Sequence, residues 1–484
     1  MVRRASGPSF DTWWRRAESV GFCAQPIQLT GTDPAGRQQA VWTRCNNRRT
    51  SVCPSCADLY ARDTWQLVHA GAAGGHHDVP VEVASRPQVF ATLTAPSCGA
   101  VHNGTGAACH ARQRRGAARR CIHGRPLHCG TTHAADDPLV GQPLCGQCYD
   151  YLGHVLFTWY MPELWRRFTI ALRRAVAAQL RTVGAPRGSA LVSFVKVVEL
   201  QARAIPHIHA LIRLDPPGGI TGPGDQNRHG PAAAEGGGGE QSSEIRGGSW
   251  VSPINAGDLA ALVQRVATQV RFDAVVEDCA GGGDRVMVRE LRFGAQVDTQ
   301  PLVADAAGAG SAAAGRLSPR RVAAYLAKYV TKSLHDFGIT ARRLSAQTIG
   351  ELDVTDHIRA VLSTIAELAD RTAAEGPLAG IGRWLHTLGY RGHITTKSRR
   401  YSTTMGALRA ARATWTRDAF MKCQVTGDDI QSPAGGDLVL WEFGHSGHAS
   451  AGDRVLAVSA ALRHIQARIV GLAESRASNR ESEQ

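Results

Sequence analysis

The chain has 484 residues, enough for two or three domains with cores of their own. Hydrophobic residues make up 43% of it, which is ordinary for a folded globular protein and excludes a chain that is disordered throughout. The net charge of +14 favours a polyanionic partner, most simply nucleic acid. The sequence shows neither the apolar segment of a signal peptide nor a run of 18 or more apolar residues, so we expect a cytoplasmic protein with no membrane partner.

The first 150 residues hold ten of the twelve cysteines. In a cytosolic chain such clusters bind metal more often than they form disulfides. Cys53 and Cys56 form a Cys-x2-Cys pair, a spacing suited to tetrahedral zinc. Cys23 and Cys45 can complete a four-cysteine site with this pair. Buried unpaired cysteines are the alternative, but they fit poorly with the Pro, Gly and Arg residues nearby.

A second Cys-x2-Cys pair, Cys145 and Cys148, closes this region. The further candidate ligands before it are Cys109, Cys121, Cys129 and His133, with His123 and His128 in reserve. They allow one or two more zinc sites, and their pairing stays open. Because such sites order short loops that lack a core, we expect the zinc modules to enclose a neighbouring sheet rather than to form a detached domain.

The other predicted elements follow in chain order. Residues 88–96 predict a strand bounded by prolines, and 155–183 predict a helix with a basic face. That face includes Arg166, Arg167, Arg173 and Arg174. The later predictions are strands at 190–200 and 206–215, a flexible Gly-rich insertion at 216–249, a helix at 257–277, a strand at 286–293, helices at 319–334 and 356–373, a basic strand or loop pair at 388–402, and a helix at 451–475 before a disordered tail.

These predictions divide the chain into three regions. Residues 1–150 form a Cys/His-rich zinc-binding region that encloses the strand at 88–96. Residues 151–345 form the main α+β core with the insertion at 216–249. Residues 346–484 form a helical and basic C-terminal region.

The strand at 206–215 carries His207 and His209. Alternate residues of a strand share a face, so both imidazoles point to one side while Ile208 enters an apolar layer. A short hairpin can bring Glu199, at the end of the preceding strand, beside them as a third ligand for a divalent cation. The His-x-His pattern is common, and a pair of half-buried strand histidines is the alternative.

The helix at 319–334 carries Tyr325 and Tyr329, which are four residues apart and therefore stack on one face. Lys328 and Lys332 form a parallel pair beside them. Only five of the 55 basic residues are lysine, so a lysine retained here is a candidate for ammonium chemistry. Tyrosines that pack in the core of an amphipathic helix are the alternative.

Each motif supplies what the other needs. Tyrosine is a poor nucleophile near neutrality because its pKa is ~10. A bound Mg²⁺ or Mn²⁺ can polarise a phosphodiester, and a nearby lysine can favour the phenolate or stabilise the charge that develops on the phosphate. Attack by tyrosine then gives a 5′-phosphotyrosine and a free 3′-OH, and a second tyrosine permits a second cleavage.

The two motifs resemble those of the HUH endonucleases. Pro206–Leu211 is similar to their metal motif, Tyr325–Tyr329 to their two-tyrosine motif, and Phe90–Pro96 to a structural strand of their sheet. Over about residues 20–420 the chain resembles the rolling-circle replication initiators of actinobacterial plasmids and integrative elements. The segments that carry this likeness are Arg44–Cys56, Gly141–Tyr151 and Gly389–Leu408.

The resemblance implies an α+β fold with a central antiparallel sheet flanked by helices, and the cysteine spacing adds zinc modules in the N-terminal third. It implies nicking of one strand at an origin, covalent attachment and later rejoining, with Mg²⁺ or Mn²⁺ held by His207, His209 and Glu199. We expect Tyr329 to attack first and Tyr325 second. Origin DNA is the expected partner, and a host helicase and replication machinery are expected because no Walker-type loop is present.

Two basic runs are candidates for phosphate contact, and a solvated surface is the alternative. One is 112–120, and the other contains Lys397, Arg399 and Arg400, next to Tyr401, which can stack on an unpaired base. Two other functions remain open. One is a two-tyrosine single-strand DNA transposase, and the other is a non-catalytic zinc-dependent DNA-binding regulator.

Overall fold

A computed structural model describes residues 9–32, 36–104, 106–110, 120–218, 250–278, 285–302, 317–331, 337–339, 344–372, 375–424 and 440–482. The insertion predicted at 216–249 and the basic run at 112–120 lie almost wholly outside these residues. The helices are α1 (Phe10–Ser19), α2 (Pro54–Ala73), α3 (Tyr151–Thr182), α4 (Ala256–Gln269), α5 (Pro319–Tyr329), α6 (Asp356–Arg371), α7 (Met405–Gln424) and α8 (Ala451–Ser482). The strands are β1 (Ile27–Thr32), β2 (Gln38–Thr43), β3 (Gln88–Leu93), β4 (Leu191–Leu200), β5 (Pro206–Asp215), β6 (Arg271–Asp278), β7 (Arg285–Arg292), β8 (Val297–Pro301), β9 (Thr395–Lys397) and β10 (Leu440–Ser446).

The chain divides into two units, each with its own core. The first comprises Met1–Leu67, Val330–Ser333 and Thr404–Gln484, and the second comprises Val68–Tyr329 and Leu334–Thr403. The three regions predicted from the sequence follow a different division, because segments from both ends of the chain belong to the first unit.

A five-stranded sheet forms the centre of the second unit. Its strand order is β8-β3-β5-β4-β9, and every neighbouring pair is antiparallel. The prediction of a mixed fold with an antiparallel sheet and flanking helices is therefore confirmed. The strand predicted at 88–96 is β3, which pairs with β5 on one side and β8 on the other.

One face of this sheet is apolar and packs against α3 and α4. Ile208 and Ile212 of β5 lie on that face and are buried. Phe168 and Leu172 of α3, four residues apart, and Val263 of α4 are buried in the same cluster. Full burial of each such side chain contributes roughly 1.5–3 kcal/mol. The polar residues of β5 that alternate with these are left for the opposite face.

The helix predicted at 257–277 is two elements. α4 ends at Gln269, and β6 follows at once and pairs antiparallel with β7. The prediction extended the helix too far, because residues 271–277 have the alternation of a strand. Ala274 and Val276 are buried and Asp273 is exposed, which is a period of two.

The first unit contains a second antiparallel sheet, with strand order β10-β1-β2, which the sequence did not predict. Its largest apolar cluster joins Trp13 of α1 and the nearby Phe22 to small residues of α8, among them Ala457 and Ala460. The helix predicted at 451–475 is α8, and it extends to Ser482 through most of the predicted disordered tail.

The segment Ala451–Ser475 of α8 is long and apolar enough, by length and composition alone, to cross a membrane, with a mean hydropathy of 1.3 in its most apolar window. The segment is not an unbroken apolar run, because Asp453, Arg463 and Arg468 interrupt it, so this finding does not contradict the expectation drawn from the sequence. Helices of proteins that never enter a membrane pass the same test. The face of α8 with Ala457, Ala460 and Ala461 packs against Trp13 and Phe22 in the first unit.

Candidate active site

Glu199, His207 and His209 converge on one face of the β4–β5 hairpin, and we call them the hairpin site. The strand register places Glu199 opposite His207, and His209 follows two residues along β5 on the same face. The Nε2 atoms of His207 and His209 lie 3.0 and 3.1 Å from Oε2 of Glu199. Between the strands, the amide of Gln201 donates to the carbonyl of Ile205, which closes the hairpin.

The hairpin site fits a divalent cation. In an octahedral site with bonds of about 2.1 Å, neighbouring ligand atoms lie about 3.0 Å apart, which matches the two nitrogen-to-oxygen distances. With no cation or proton between them, the nitrogen lone pairs would face a carboxylate oxygen and repel it. The Thr92 hydroxyl lies 3.1 Å from Nδ1 of His209. It can accept a hydrogen bond from a protonated Nδ1, which leaves the Nε2 lone pair free to coordinate a cation.

The two tyrosines of α5 lie against the hairpin site. The Tyr325 hydroxyl is 3.4 Å from Nε2 of His209. The Tyr329 ring centre is 5.6 Å from that of His209 and 4.7 Å from that of Tyr325. Phe90 of β3 stacks on His209 and meets Tyr325 edge to face. The next residue of α5, Leu326, is fully buried. The two motifs therefore lie in one site.

The Tyr325 side chain is accessible but not predisposed to ionise. The residue is 39% exposed, so part of its side chain is open to solvent. Partial burial is the main cause that raises the pKa of Tyr325 above its ordinary value, and the hydrogen bond to Tyr329 is the second. The phenol is therefore protonated at neutral pH, and nucleophilic attack needs a positive charge nearby.

The predicted lysine pair is only partly described. Lys328 is exposed, and its Nζ lies 5.8 Å from the centre of the Tyr329 ring, a distance at which a cation is attracted to an aromatic face. Lys332 lies outside the described residues. α5 ends at Tyr329, earlier than the predicted helix end at 334.

Cys23, Cys45, Cys53 and Cys56 come together as the sequence predicted, and we call them the four-cysteine site. The sulfur atom of Cys56 lies 3.7 Å from that of Cys45 and 3.6 Å from that of Cys23. Tetrahedral zinc with bonds of about 2.3 Å requires sulfur atoms about 3.8 Å apart. Hydrogen bonds from the other three thiols, that of Cys23 first, lower the pKa of Cys53. Hydrogen bonds within the same cluster, that to Cys45 first, raise the pKa of Cys23. The four-cysteine site can therefore hold a metal such as zinc.

The later cysteines and histidines form two further clusters. His102, Cys109, Cys129 and His133 make up what we call the His102 site. Cys121, His123, Cys145 and Cys148 make up what we call the Cys121 site. In the His102 site, the ring nitrogens of His102 and His133 lie 3.2 Å apart, close to the separation of about 3.3 Å that tetrahedral zinc gives two imidazoles. Each cluster can hold one metal ion.

Six of these eight candidate ligands were predicted from the sequence, and His102 was missed. His123 was in reserve and proves to be a ligand candidate, whereas His128 belongs to none of the clusters found among the described residues. No cysteine or histidine lies at the Cys-x2-Cys spacing from His102, so the local sequence does not indicate that it is a candidate ligand. The structure also supplies a carboxylate behind the His102 site, since Nδ1 of His133 lies 2.8 Å from Oδ2 of Asp137.

Lys397 has a structural role that the sequence did not indicate. Its Nζ donates to the carbonyls of Ser398, Arg399 and Ser402 at 3.2, 3.3 and 2.8 Å. Burial is the main cause that lowers the pKa of Lys397 to about 8, and the positive charge of the nearby Arg213 is the second. These bonds hold the chain after β9 and leave little of the ammonium for a phosphate.

The rest of this basic segment divides into exposed and buried residues. Arg399 and Arg400 are exposed and line a groove of about 470 Å³ together with Arg173 and Arg187. Tyr401 is fully buried, and its hydroxyl donates to the carbonyl of Val68 at 3.2 Å. The expectation that Tyr401 stacks on an unpaired base is therefore wrong.

Comparison with known proteins supports the resemblance to replication initiators. A family model described as "Replication initiator protein, pSAM2" matches residues 9–462. A curated replication initiator protein of Streptomyces ambofaciens is 36% identical over 495 aligned residues, which cover 96% of this chain and 93% of that protein. No solved structure matches the chain. The match over nearly the whole length shows that the chain belongs to this family of replication initiator proteins.

Proposed function

We propose that the chain initiates rolling-circle replication by nicking one strand of origin DNA through tyrosine attack, as an HUH endonuclease of the two-tyrosine kind. The observation that carries this proposal is the 3.4 Å distance between the Tyr325 hydroxyl and Nε2 of His209. It joins a nucleophile to a cluster of metal-ligating side chains on rigid strands. The family supports a role in replication, and the hairpin site gives that role a chemistry.

The reaction exchanges one phosphodiester bond for another. The Tyr325 oxygen forms a bond to phosphorus, its proton passes to solvent, and the bond from phosphorus to the 3′ oxygen breaks. The 3′ oxygen takes up a proton and becomes a free 3′-OH that can prime synthesis. The 5′ phosphate stays on tyrosine as a diester, so attack by a 3′-OH reverses the step and rejoins the strand.

Glu199, His207 and His209 would hold Mg²⁺ or Mn²⁺. When bound, this cation would supply the positive charge that polarises the scissile phosphate and favours the Tyr325 phenolate. The hairpin register fixes Glu199 and His207, and Thr92 fixes the ring of His209. Phe90 packs against Tyr325 and limits its rotation, so that the hydroxyl keeps its distance from His209.

The contacts favour Tyr325 as the first nucleophile, which reverses the order expected from the sequence. The Tyr325 hydroxyl is within 3.4 Å of a metal-ligating nitrogen, whereas Tyr329 contacts the His209 ring with its own ring, and Lys328 lies over its face. Tyr329, one helical turn away, would attack the second strand junction at termination. The two rings lie 4.7 Å apart on one face of α5, so both tyrosines are beside the hairpin site.

The same proposal assigns the other predicted partners and cofactors. Zinc at the four-cysteine, His102 and Cys121 sites would hold loops in place, and Arg399 and Arg400 would contact DNA phosphates. A host helicase would open the duplex, and the protein would act in the cytoplasm, where its DNA lies.

The test is covalent capture of DNA. The full chain is incubated with Mn²⁺ and a randomised pool of single-stranded oligonucleotides, and adducts that survive SDS are collected and their DNA is sequenced. We expect adducts with a recurrent sequence at the cut, and none from Tyr325→Phe/Tyr329→Phe. Chelation of Mn²⁺ should remove the adducts while the zinc content stays unchanged.

Adducts of undiminished yield from the double tyrosine variant would overturn the tyrosine assignment. If the wild-type chain forms no adduct but binds DNA, the regulator reading would replace the nickase. Tyr160→Phe provides a matched control, because this tyrosine is buried at the contact of α3 with Pro377 and is not part of the hairpin site.

A further inference from the structure

A basic groove lies between α3 and α4, and none of the functions described above uses it. It has a volume of about 610 Å³, and five of the eleven residues that line it are arginines. These are Arg166, Arg167, Arg174, Arg265 and Arg271. The other six are Gln269 and small or aliphatic side chains, so no carboxylate lines the groove.

Carboxylates outside the groove neutralise only part of this charge. Glu163 pairs with both Arg166 and Arg167, and Glu290 pairs with Arg271. Arg174 and Arg265 are exposed, and no ion pair or hydrogen bond within the described part of the chain engages either guanidinium. Two adjacent cations in a concave surface attract an anion more strongly than the same cations would on a convex one.

The lining chemistry indicates the kind of anion. Guanidinium groups bind phosphate through paired N–H donors, and from Arg167 to Arg174 the helix rises about 10 Å, enough to contact more than one phosphate along a strand. No aromatic side chain lines the groove, so it offers no surface on which unpaired bases could stack. These features favour the backbone of duplex DNA over single-stranded DNA.

The groove and the hairpin site lie on opposite sides of the sheet. α3 and α4 cover the apolar face through residues such as Phe168 and Val263, whereas Glu199, His207 and His209 point to the other face. The DNA segment held in the groove therefore cannot contain the phosphate that Tyr325 attacks. It must be another segment of the same DNA or a second DNA molecule.

We propose that the arginine groove between α3 and α4 binds the phosphate backbone of duplex DNA, separately from the strand that is cut. The inference rests on the proposed function for the identity of the DNA, but it concerns a different surface. In this arrangement the groove anchors duplex flanking the origin while the opened strand reaches the hairpin site. Its contribution is independent of base sequence and falls as salt rises.

The experiment measures binding of the full chain to a short duplex of random sequence and to its single strand, by fluorescence anisotropy over a range of KCl concentrations. In Arg174→Gln/Arg265→Gln, two phosphate contacts are lost. The log–log salt dependence of duplex affinity should become shallower by about 2, and affinity should fall roughly 10-fold or more at physiological salt. Single-strand affinity should change much less.

The matched control is Arg125→Gln/Arg383→Gln, which removes two exposed arginines of the same unit outside the groove. It should leave the salt dependence as in the wild type. Equal salt dependence in the groove variant, or a loss confined to single-stranded DNA, would overturn the proposal. Covalent capture on a short oligonucleotide is run in parallel and should be unchanged. If capture fails even in the wild type, the proposed nicking is wrong, while the duplex measurement still decides the groove.

Discussion

The hairpin site and the four-cysteine site are both candidate metal sites, but their ligands differ in chemistry and are supported in very different ways. Glu199, His207 and His209 project from paired strands whose backbone hydrogen bonds and apolar face fix their positions. The four cysteines come from loops and from the start of α2, and the small cluster around them is built largely of the cysteines themselves. The first set of ligands is held by the fold, whereas the second set is part of what holds the fold.

This difference predicts opposite consequences of metal loss. Strand ligands stay in place without their ion, because the free energy of the sheet does not depend on it. Loop ligands lose their arrangement, because metal binding supplies the free energy that orders the loop. One ion is therefore expected to govern activity, and the others to govern stability.

The largest effect is expected from the four-cysteine site. Cys53→Ser should remove one zinc per chain and lower the free energy of unfolding by about 4 kcal/mol or more, because the bound metal orders the surrounding loops. The measurement is zinc content together with urea unfolding. Cys98→Ser is the matched control, since Cys98 is a buried thiol outside the clusters and burial raises its pKa to about 11. Equal effects of the two substitutions would remove the distinction between ligand and core cysteine.

The hairpin site should show the reverse pattern. Glu199→Gln keeps the shape of the side chain but removes the charge that binds the cation, so nicking should fall roughly 1000-fold, or about 4 kcal/mol. The melting temperature should stay within experimental error of the wild type. Single-turnover adduct formation and calorimetry measure the two quantities. Glu351→Gln, at an exposed glutamate of the same unit, is the control, and a melting temperature that falls with activity would contradict the comparison.

A smaller, stabilising effect is expected on the apolar side of the same hairpin. Lys196 is 5% exposed, and burial lowers its pKa from 10.5 to about 8. Between these values the unfolded chain binds the proton that the folded chain has lost, so the stability of the wild type rises with pH across this window. Lys196→Met should raise the free energy of unfolding by roughly 3 kcal/mol at neutral pH.

The advantage of Lys196→Met should shrink as pH rises from 8 towards 10.5, because removing the proton from Lys196 on folding then costs less free energy. Urea unfolding across this range measures it. An advantage that is constant with pH would mean that packing, and not the buried charge, is responsible.

The smallest effects are expected from groups that support the ligands. Thr92→Val removes the oxygen beside Nδ1 of His209, and Asp137→Asn removes the carboxylate charge beside Nδ1 of His133. Each should weaken metal binding at its own site by about 10-fold. Titration with Mn²⁺ and with zinc separates them. A loss of zinc affinity in the threonine variant would show that the sites are coupled.

The sequence could predict residues whose positions follow from local periodicity. Alternation placed His207 and His209 on one face, and the i,i+4 spacing placed Tyr325 beside Tyr329. Glu199 required only a short hairpin. The antiparallel sheet with flanking helices also followed from the family motifs and is confirmed by the strand pairing.

The sequence could not predict what depends on tertiary contacts. His102 becomes a ligand candidate only because the loop folds back on His133, and nothing in its local spacing indicates that. The basic run predicted Lys397 as a phosphate ligand, whereas in the structure its Nζ donates to three backbone carbonyls. The boundary between α4 and β6 was missed because Val263, Val266 and Val270 keep helical spacing up to the residue before the strand. The proposed order of attack by the two tyrosines depends on the distance between the Tyr325 hydroxyl on α5 and Nε2 of His209 on β5.

The most direct test of the central claim identifies the tyrosine that carries the DNA. Wild-type chain is trapped in its first covalent adduct with an oligonucleotide that contains the nick sequence, digested with protease and nuclease, and mapped by mass spectrometry. We predict that the residual nucleotide is on Tyr325, and that Glu199→Gln, although fully folded, yields almost none. A nucleotide found on Tyr329 alone, or on a residue outside α5, would contradict this account.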